Sequence, residues 1–132
     1  MTDNAKQTDL KTILYVDDDA SSRYLVTEII EGHTPYQIIT SDCLSEGLQA
    51  CPQARPALIL LDINLKTVSG YDVLTEIRQD PDMTNLPIIA LSGHIYREDI
   101  EKGLSAGFDA YLTKPINMQE FIDTVSRFLG PA

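Results

Sequence analysis

Three consecutive aspartates, Asp17, Asp18 and Asp19, follow the short apolar run ILYV at residues 13–16. Carboxylates this close repel one another, and burying any of them without a counter-charge costs free energy. The sequence therefore leaves two possibilities. Either the aspartates face water, where one of them caps a helix, or they surround a cation.

Further polar side chains follow other apolar runs. Asp62 comes directly after ALILL, Ser92 directly after PIIAL, and Lys114 directly after the weaker run DAYLT. A carboxylate, a hydroxyl and an ammonium are groups that bind divalent cations and phosphate oxygens. Taken singly, each would be an ordinary loop or surface residue, so a functional role requires that the fold bring them together.

The elements that must position these groups are short strands. Five apolar runs rich in Ile, Leu and Val predict them, at residues 13–16, 36–40, 57–61, 87–91 and 109–113. Three of the runs are continuous rather than alternating, which is typical of parallel strands covered by helices on both faces.

Segments with apolar residues at helical spacing separate the runs. The first helix is predicted to begin after Asp19 and to end near Gly32, the second is stopped by Pro52, and the fourth covers roughly 95–106. The apolar positions are Tyr24, Leu25, Val26, Ile29 and Ile30; Leu44, Leu48 and Cys51; Tyr71, Leu74 and Ile77; Ile100 and Leu104; and Met118, Phe121, Ile122, Val125, Phe128 and Leu129. Strictly alternating strands and helices imply right-handed crossovers and a three-layer α/β domain.

In such sheets, ligands bind beyond the carboxyl ends of the strands. If the first, third and fourth strands are neighbours, Asp17, Asp18 and Asp62 converge on one patch. Mg²⁺ usually keeps several waters and takes few carboxylates plus a phosphate oxygen, so it suits a shallow rim of this kind.

The composition indicates one folded unit and restricts its partners. The 132 residues fit one domain, predicted over 12–132 after a polar tail at 1–11. The net charge of −10 argues against capture of nucleic acid or of an anionic membrane. No run is long enough to span a membrane, and the tail lacks the core of a secretory signal. Cys43 and Cys51 lie about 12 Å apart along one predicted helix, too far to pair, which favours a cytoplasmic location.

The motifs ILYVDDD, LILLDINLKTVSG, PIIALSG and AYLTKP occur in this order. Each of them consists of a predicted strand and the residues that come directly after it. Together they resemble a bacterial response-regulator receiver domain of the stand-alone, single-domain type. The resemblance covers nearly the whole chain from residue 12. It implies a doubly wound (βα)5 flavodoxin-like fold with a five-stranded parallel sheet in the order 2-1-3-4-5.

The resemblance also implies a role for each strand-end residue. Asp62 would be the phosphoacceptor, a carboxylate nucleophile that takes a phosphoryl group and holds it as an acyl phosphate. Asp17 and Asp18 would hold Mg²⁺, directly or through water, together with Asp62 and the backbone carbonyl of Asn64.

The remaining implied roles concern the response to phosphorylation. Lys114 would contact the Asp62 carboxylate and then the phosphoryl oxygens, and the Lys114–Pro115 bond would be cis. Ser92 would be the switch hydroxyl that turns to the phosphoryl group, and Tyr111 the aromatic switch that moves inward with it.

Three positions depart from the family pattern. Lys66 stands where proline is common, Gly93 where alanine is usual, and Ile116 where phenylalanine often follows Lys-Pro. None of these changes removes a group that the chemistry needs. Asn64 and His94 occupy positions that influence acyl-phosphate lifetime in this family, so they leave the lifetime open.

The resemblance implies a phosphorylation switch, not a turnover enzyme. A histidine kinase or a histidine phosphotransfer protein would be the donor, and the output would be protein binding through the face formed by the fourth helix, fifth strand and fifth helix. The chain would act as a monomer or as a phosphorylation-dependent dimer. A receiver excised from a hybrid histidine kinase is an alternative. An aspartyl-phosphate phosphohydrolase would carry a second aspartate where this chain has Asn64, and a nucleotide- or flavin-binding module would want a glycine-rich loop in place of the three aspartates.

Overall fold

A computed structural model describes residues 11–51 and 56–130, and shows strands and helices in strict alternation. The strands are β1 (Thr12–Val16), β2 (Gln37–Ser41), β3 (Leu58–Asp62), β4 (Ile88–Ser92) and β5 (Ala110–Thr113). The helices are α1 (Ala20–His33), α2 (Leu44–Ala50), α3 (Gly70–Gln79), α4 (Arg97–Ala106) and α5 (Met118–Leu129). Each strand begins and ends within one residue of its predicted position.

The strands form one parallel sheet in the order β2-β1-β3-β4-β5, which confirms the predicted fold class. Backbone hydrogen bonds continue past the strand ends. The amide of Asp17 donates to the carbonyl of Ser41 at 3.0 Å, and the amide of Lys114 donates to that of Ser92 at 2.8 Å. The sheet therefore fixes the backbone of these residues as well as that of the strands.

The core lies in two layers, one on each face of the sheet. Alternate residues of β1, β3 and β4 point to opposite faces, so each strand contributes to both layers. One layer joins the sheet to α1 and α5 and includes Val26, Ile30, Phe121 and Val125. The other joins it to α2 and α3 and includes Leu44, Val73, Leu74 and Ile77. Both faces are covered, which explains the continuous apolar runs of β3 and β4.

The first helix begins where the sequence predicts. Asp19 is the N-cap of α1, and its carboxylate accepts the Ser22 amide at 3.2 Å and the Ser22 hydroxyl at 2.8 Å. These bonds satisfy an amide that has no partner within the helix. The hydrogen bonds from Ser22 hold the pKa of the Asp19 carboxyl below its usual value. Pro52, the predicted stop of the second helix, and residues 1–10 of the predicted tail lie outside the described residues.

Four residues of the predicted apolar stripes are exposed, namely Tyr24 (69%) and Leu25 (46%) of α1, Leu104 of α4 and Met118 of α5. Phe121, Val125 and Leu129 of α5 are buried, but Met118 at its start and Leu104 of α4 each keep 45% of their surface exposed. Both Leu104 and Met118 belong to the side of the molecule formed by α4, β5 and α5.

Among the described helices, none is long and apolar enough to cross a bilayer.

Arg78 stabilises the end of the sheet that lies opposite the strand-end aspartates. Its guanidinium donates to the carbonyls of Leu86 at 2.6 Å, Thr84 at 2.9 Å and Gly107 at 3.0 Å, and to the carboxylate of Asp109 at 2.9 Å. One cation thus ties α3 to the segments that enter β4 and β5.

Candidate functional site

Three of the predicted aspartates meet at the carboxyl ends of β1 and β3. Carboxylate oxygens of Asp17, Asp18 and Asp62 lie within 4.8 Å of one another. Asp17 is fully buried, Asp62 is 5% exposed and Asp18 is half-buried. Asp19 points away as the cap of α1, so the run of three aspartates divides into a clustered pair and a helix cap.

Neighbouring donors fix each carboxylate of the cluster. Asp17 accepts the Asp19 amide at 2.8 Å through Oδ1 and the Tyr15 hydroxyl through Oδ2. Asp18 accepts the Lys66 amide at 2.6 Å, and Asp62 accepts the Asn64 amide at 3.0 Å through Oδ1.

Lys114 brings an ammonium to the cluster. Its Nζ lies 3.0 Å from Asp17 Oδ2 and 3.6 Å from Asp62 Oδ2. One ammonium balances one of the three carboxylates, so two negative charges remain at a partly buried site. Oxygen ligands with this excess charge fit a hard divalent cation such as Mg²⁺.

Ionisation of the Asp62 carboxyl is unfavourable in the protein without a bound cation. Burial is the main cause that raises the pKa of its carboxyl above the usual value, and the charge of Asp17 adds to the rise. The Asn64 amide and the Lys114 ammonium act in the opposite direction without cancelling it. A second cation at the site would favour the ionised form, which is the form that acts as a nucleophile.

Gly70 lets α3 begin directly behind the phosphoacceptor candidate. A Cβ at this position would lie 2.6 Å from the Cα of Ile63 and 2.8 Å from the carbonyl oxygen of Asp62, both backbone atoms that cannot give way. The Gly70 amide donates to the Ile63 carbonyl at 2.9 Å. The glycine eight residues after Asp62 is therefore required for a close backbone approach.

A single peptide segment links Ser92 to Tyr111. Ser92 is fully buried, and its hydroxyl oxygen accepts the His94 amide at 3.0 Å. The Tyr111 hydroxyl donates to the His94 carbonyl at 2.9 Å. The Tyr111 ring is half-buried against Gly103 of α4. A change at Ser92 can thus reach Tyr111 through the backbone of one residue.

A cavity lies beside the acidic cluster, not over it. It has a volume of about 530 Å³ and opens between the loop after β3, the loop after β4 and α4. Tyr111 and His94 line it. The cavity gives the Tyr111 side chain space into which it can move.

Sequence reasoning missed three of these contacts. The Lys66 amide and the His94 backbone act through main-chain atoms, which no side-chain motif reveals. The Tyr15 contact had a signal, because Tyr15 is the one polar-tipped residue in ILYV and stands two positions before Asp17. Residues two apart in a strand share a face, so this hydroxyl and this carboxylate had to lie on the same side of β1. The predicted Lys114–Pro115 bond is cis.

Comparisons with known proteins agree with this geometry. Residues 13–126 match the family model of the response regulator receiver domain. The polar-differentiation response regulator DivK of Brucella anthropi is 33% identical over 122 residues, which cover 92% of this chain and 98% of DivK.

Solved structures have the same fold. A putative response regulator from Chloroflexus aurantiacus superposes with a TM-score of 0.82 at 28% identity, covering 92% of this chain and 99% of that one. The receiver domain of a sensor histidine kinase from Pseudomonas aeruginosa superposes with a TM-score of 0.79 at 26% identity, covering 92% and 99%, and has a magnesium ion coordinated in its active site cleft. The predicted resemblance is confirmed: this chain belongs to the response regulator receiver domain family of two-component signalling.

Proposed function

We propose that this receiver domain accepts a phosphoryl group on Asp62 from a histidine kinase or a histidine phosphotransfer protein, and signals by binding another protein. The observation that carries the proposal is the cluster of Asp17, Asp18 and Asp62 with Lys114 at one edge of the sheet. Three carboxylates and an ammonium lie close together there, and they supply the groups that a phosphoacceptor with a bound cation would need.

The chemical step needs little beyond positioning and charge. The Asp62 carboxylate attacks the phosphorus of a phosphohistidine, so that an O–P bond forms as the N–P bond breaks. The electron pair of that bond stays on the imidazole nitrogen, which takes a proton from solvent. Lys114 neutralises part of the charge on the transferred oxygens.

The acidic cluster fits the cation that this chemistry requires. Asp17, Asp18, Asp62 and the backbone carbonyl of Asn64 would hold Mg²⁺, directly or through water. When bound, the ion neutralises phosphoryl oxygens and orients them for transfer. The excess of two negative charges at the cluster supports this assignment, because without a counter-ion the carboxylates repel one another.

The link from Ser92 through His94 to Tyr111 supports a switch. A phosphoryl group on Asp62 offers new acceptor oxygens to the Ser92 hydroxyl. As that hydroxyl turns, its contact with the His94 amide changes, and the hydrogen bond between His94 and Tyr111 changes with it. Tyr111 then moves inward into the adjoining cavity.

The output surface is the face of α4, β5 and α5, where Tyr111 emerges. A depression of about 320 Å³ on this face is lined by residues of all three elements, among them Ile100, Leu112 and Thr124. Together with the exposed Leu104 and Met118, it offers apolar area to a downstream protein or to a second phosphorylated copy. The free thiols of Cys43 and Cys51 support a cytoplasmic location.

The test is chemical phosphorylation followed by intact-mass analysis. Wild type treated with acetyl phosphate and Mg²⁺ should gain one phosphoryl group, and Asp62→Asn should gain none. Asp42→Asn is the matched control, because Asp42 also follows a strand but is exposed and outside the cluster. Absence of a Mg²⁺-dependent adduct on wild type, or equal labelling of Asp62→Asn, would contradict the proposal.

A second measurement addresses the cation and the partner. Asp18→Ala should weaken Mg²⁺ binding in a calorimetric titration, and an unchanged affinity would remove Asp18 from the site. Pull-downs with and without beryllofluoride, an analogue of the phosphoryl group, should capture different proteins if the switch controls binding.

A further inference from the structure

Tyr15 lies directly beneath the acidic cluster. It is the fourth of the five residues of β1, none of its surface is exposed, and its ring belongs to the core layer that packs on α1 and α5. Its hydroxyl is the part that reaches the cluster, where it donates to Asp17 Oδ2. The ring packs among the buried apolar side chains of this layer, which fixes the position of the hydroxyl.

The donors around Asp17 differ in how firmly they are held. Oδ1 accepts the Asp19 amide, and Oδ2 accepts both the Tyr15 hydroxyl and the Lys114 ammonium. Lys114 is shared with Asp62 and is partly exposed, so it is the donor that an incoming anion can draw away. Tyr15 remains, because its ring is locked in the core.

The same arrangement leaves one lone pair open. A carboxylate oxygen has two lone-pair directions, and Oδ2 of Asp17 uses both for Tyr15 and Lys114. Oδ1 uses one for the Asp19 amide, so its second lone pair is the one left for a cation or for a water of its shell.

We propose that Tyr15 is a positioning residue of the cation site, which holds the Asp17 carboxylate in the orientation that binds Mg²⁺. This inference rests on the proposed function, since it assigns a role in the same site. Hydrogen-bond donors to a metal-binding carboxylate typically change metal affinity 10- to 100-fold when they are removed. Because two donors to Asp17 remain, the expected loss lies at the lower end, about tenfold.

The test is a calorimetric titration with Mg²⁺ alone, which needs no phosphorylation. Tyr15→Phe removes one oxygen and should weaken Mg²⁺ binding about tenfold. Tyr24→Phe is the matched control, because Tyr24 is 69% exposed on α1, and should bind as wild type does. The far-UV circular dichroism spectrum of Tyr15→Phe in EDTA should match that of wild type, which shows that the variant is folded and that the loss does not come from a damaged core.

The same substitution in an Asp17→Asn variant distinguishes positioning of Asp17 from a general effect on the fold. If Tyr15 acts through Asp17, then Tyr15→Phe should change the Mg²⁺ affinity of Asp17→Asn by less than about twofold. The positioning role is overturned if Tyr15→Phe loses the same factor of Mg²⁺ affinity in the wild-type and Asp17→Asn backgrounds. It is also overturned if Tyr15→Phe binds Mg²⁺ within twofold of the wild-type affinity. In both cases the wild-type protein still binds Mg²⁺, so the proposed function stands. A wild type that binds no Mg²⁺ refutes the proposed function, and the role of Tyr15 with it.

Discussion

Gly103 offers a test of how Tyr111 is seated. In α4, a Cβ at this position would lie 2.7 Å from Cδ2 and 2.9 Å from Cε2 of the Tyr111 ring. Ordinary contact begins near 3.4 Å, so Gly103→Ala should push the ring outward by roughly 0.7 Å or rotate it away. Either movement disturbs the hydrogen bond of Tyr111 with the His94 carbonyl.

The expected change in the free energy of unfolding is the difference between a gain and a cost. Alanine is better than glycine inside a helix by roughly 0.5–1 kcal/mol. Against this gain stands an overpacking cost of about 1–3 kcal/mol, or the loss of one hydrogen bond worth about 0.5–1.5 kcal/mol together with contacts of the ring. Gly103→Ala should therefore be neutral or up to about 2 kcal/mol less stable than wild type.

Gly32→Ala is the matched control. Gly32 also lies in a helix, but a Cβ there would meet nothing within 4 Å. This variant should gain up to about 1 kcal/mol, so the two substitutions should differ by about 1–3 kcal/mol. Urea denaturation followed by far-UV circular dichroism measures the difference, and the aromatic NMR signals of Tyr111 report the ring. The reasoning is refuted if Gly103→Ala stabilises as much as Gly32→Ala and leaves those signals unchanged.

Two further predictions concern stability. Arg78→Ala should lower the free energy of unfolding by about 2–4 kcal/mol, because it removes charge-assisted hydrogen bonds to carbonyls of two loops. Arg97→Ala is the control: Arg97 is exposed, so this variant should change the free energy of unfolding by less than about 0.5 kcal/mol. Similar urea midpoints for the two variants would contradict the role of Arg78. In EDTA near pH 7, Asp62→Asn should be more stable than wild type, because the raised pKa of Asp62 means that its charged form destabilises the fold. That gain should shrink as the pH falls through the folded pKa and vanish below the unfolded value of about 3.9, so urea titrations that show a constant gain would rule out this cause.

The architecture could be predicted from the sequence because its signals are local. Continuous Ile, Leu and Val runs mark strands that are covered on both faces, and Asp19 marks a helix start through its own hydrogen bonds. The convergence of Asp17 and Asp62 followed from a rule of topology, namely that parallel strands bring their carboxyl ends to one edge.

Other features depend on contacts that no local signal carries. The Lys66 amide reaches Asp18 across 48 positions of sequence. Met118 follows the helical periodicity of α5, yet 45% of its surface is exposed. Periodicity shows which face of a helix is apolar, and only the neighbouring elements decide how much of that face is covered.

The strand order has a consequence for how the switch responds to local fluctuations. β3, which ends in Asp62, is paired on both sides and every residue in it is buried. β5, which carries Tyr111 and leads into Lys114, is an edge strand of four residues that pairs with β4 alone and is half-buried at alternate positions. Opening of β5 therefore requires less free energy than opening of β3.

The proposed phosphoacceptor thus lies in a better protected strand than Tyr111, the proposed aromatic switch. A transient opening of β5 would withdraw Lys114 and Tyr111 while the three carboxylates stay assembled on β1 and β3. In a hydrogen-exchange experiment, the amides of β5 should therefore exchange faster than those of β3. Under the proposed function, changes in the local stability of β5 would adjust the strength of the response without altering the chemistry at Asp62.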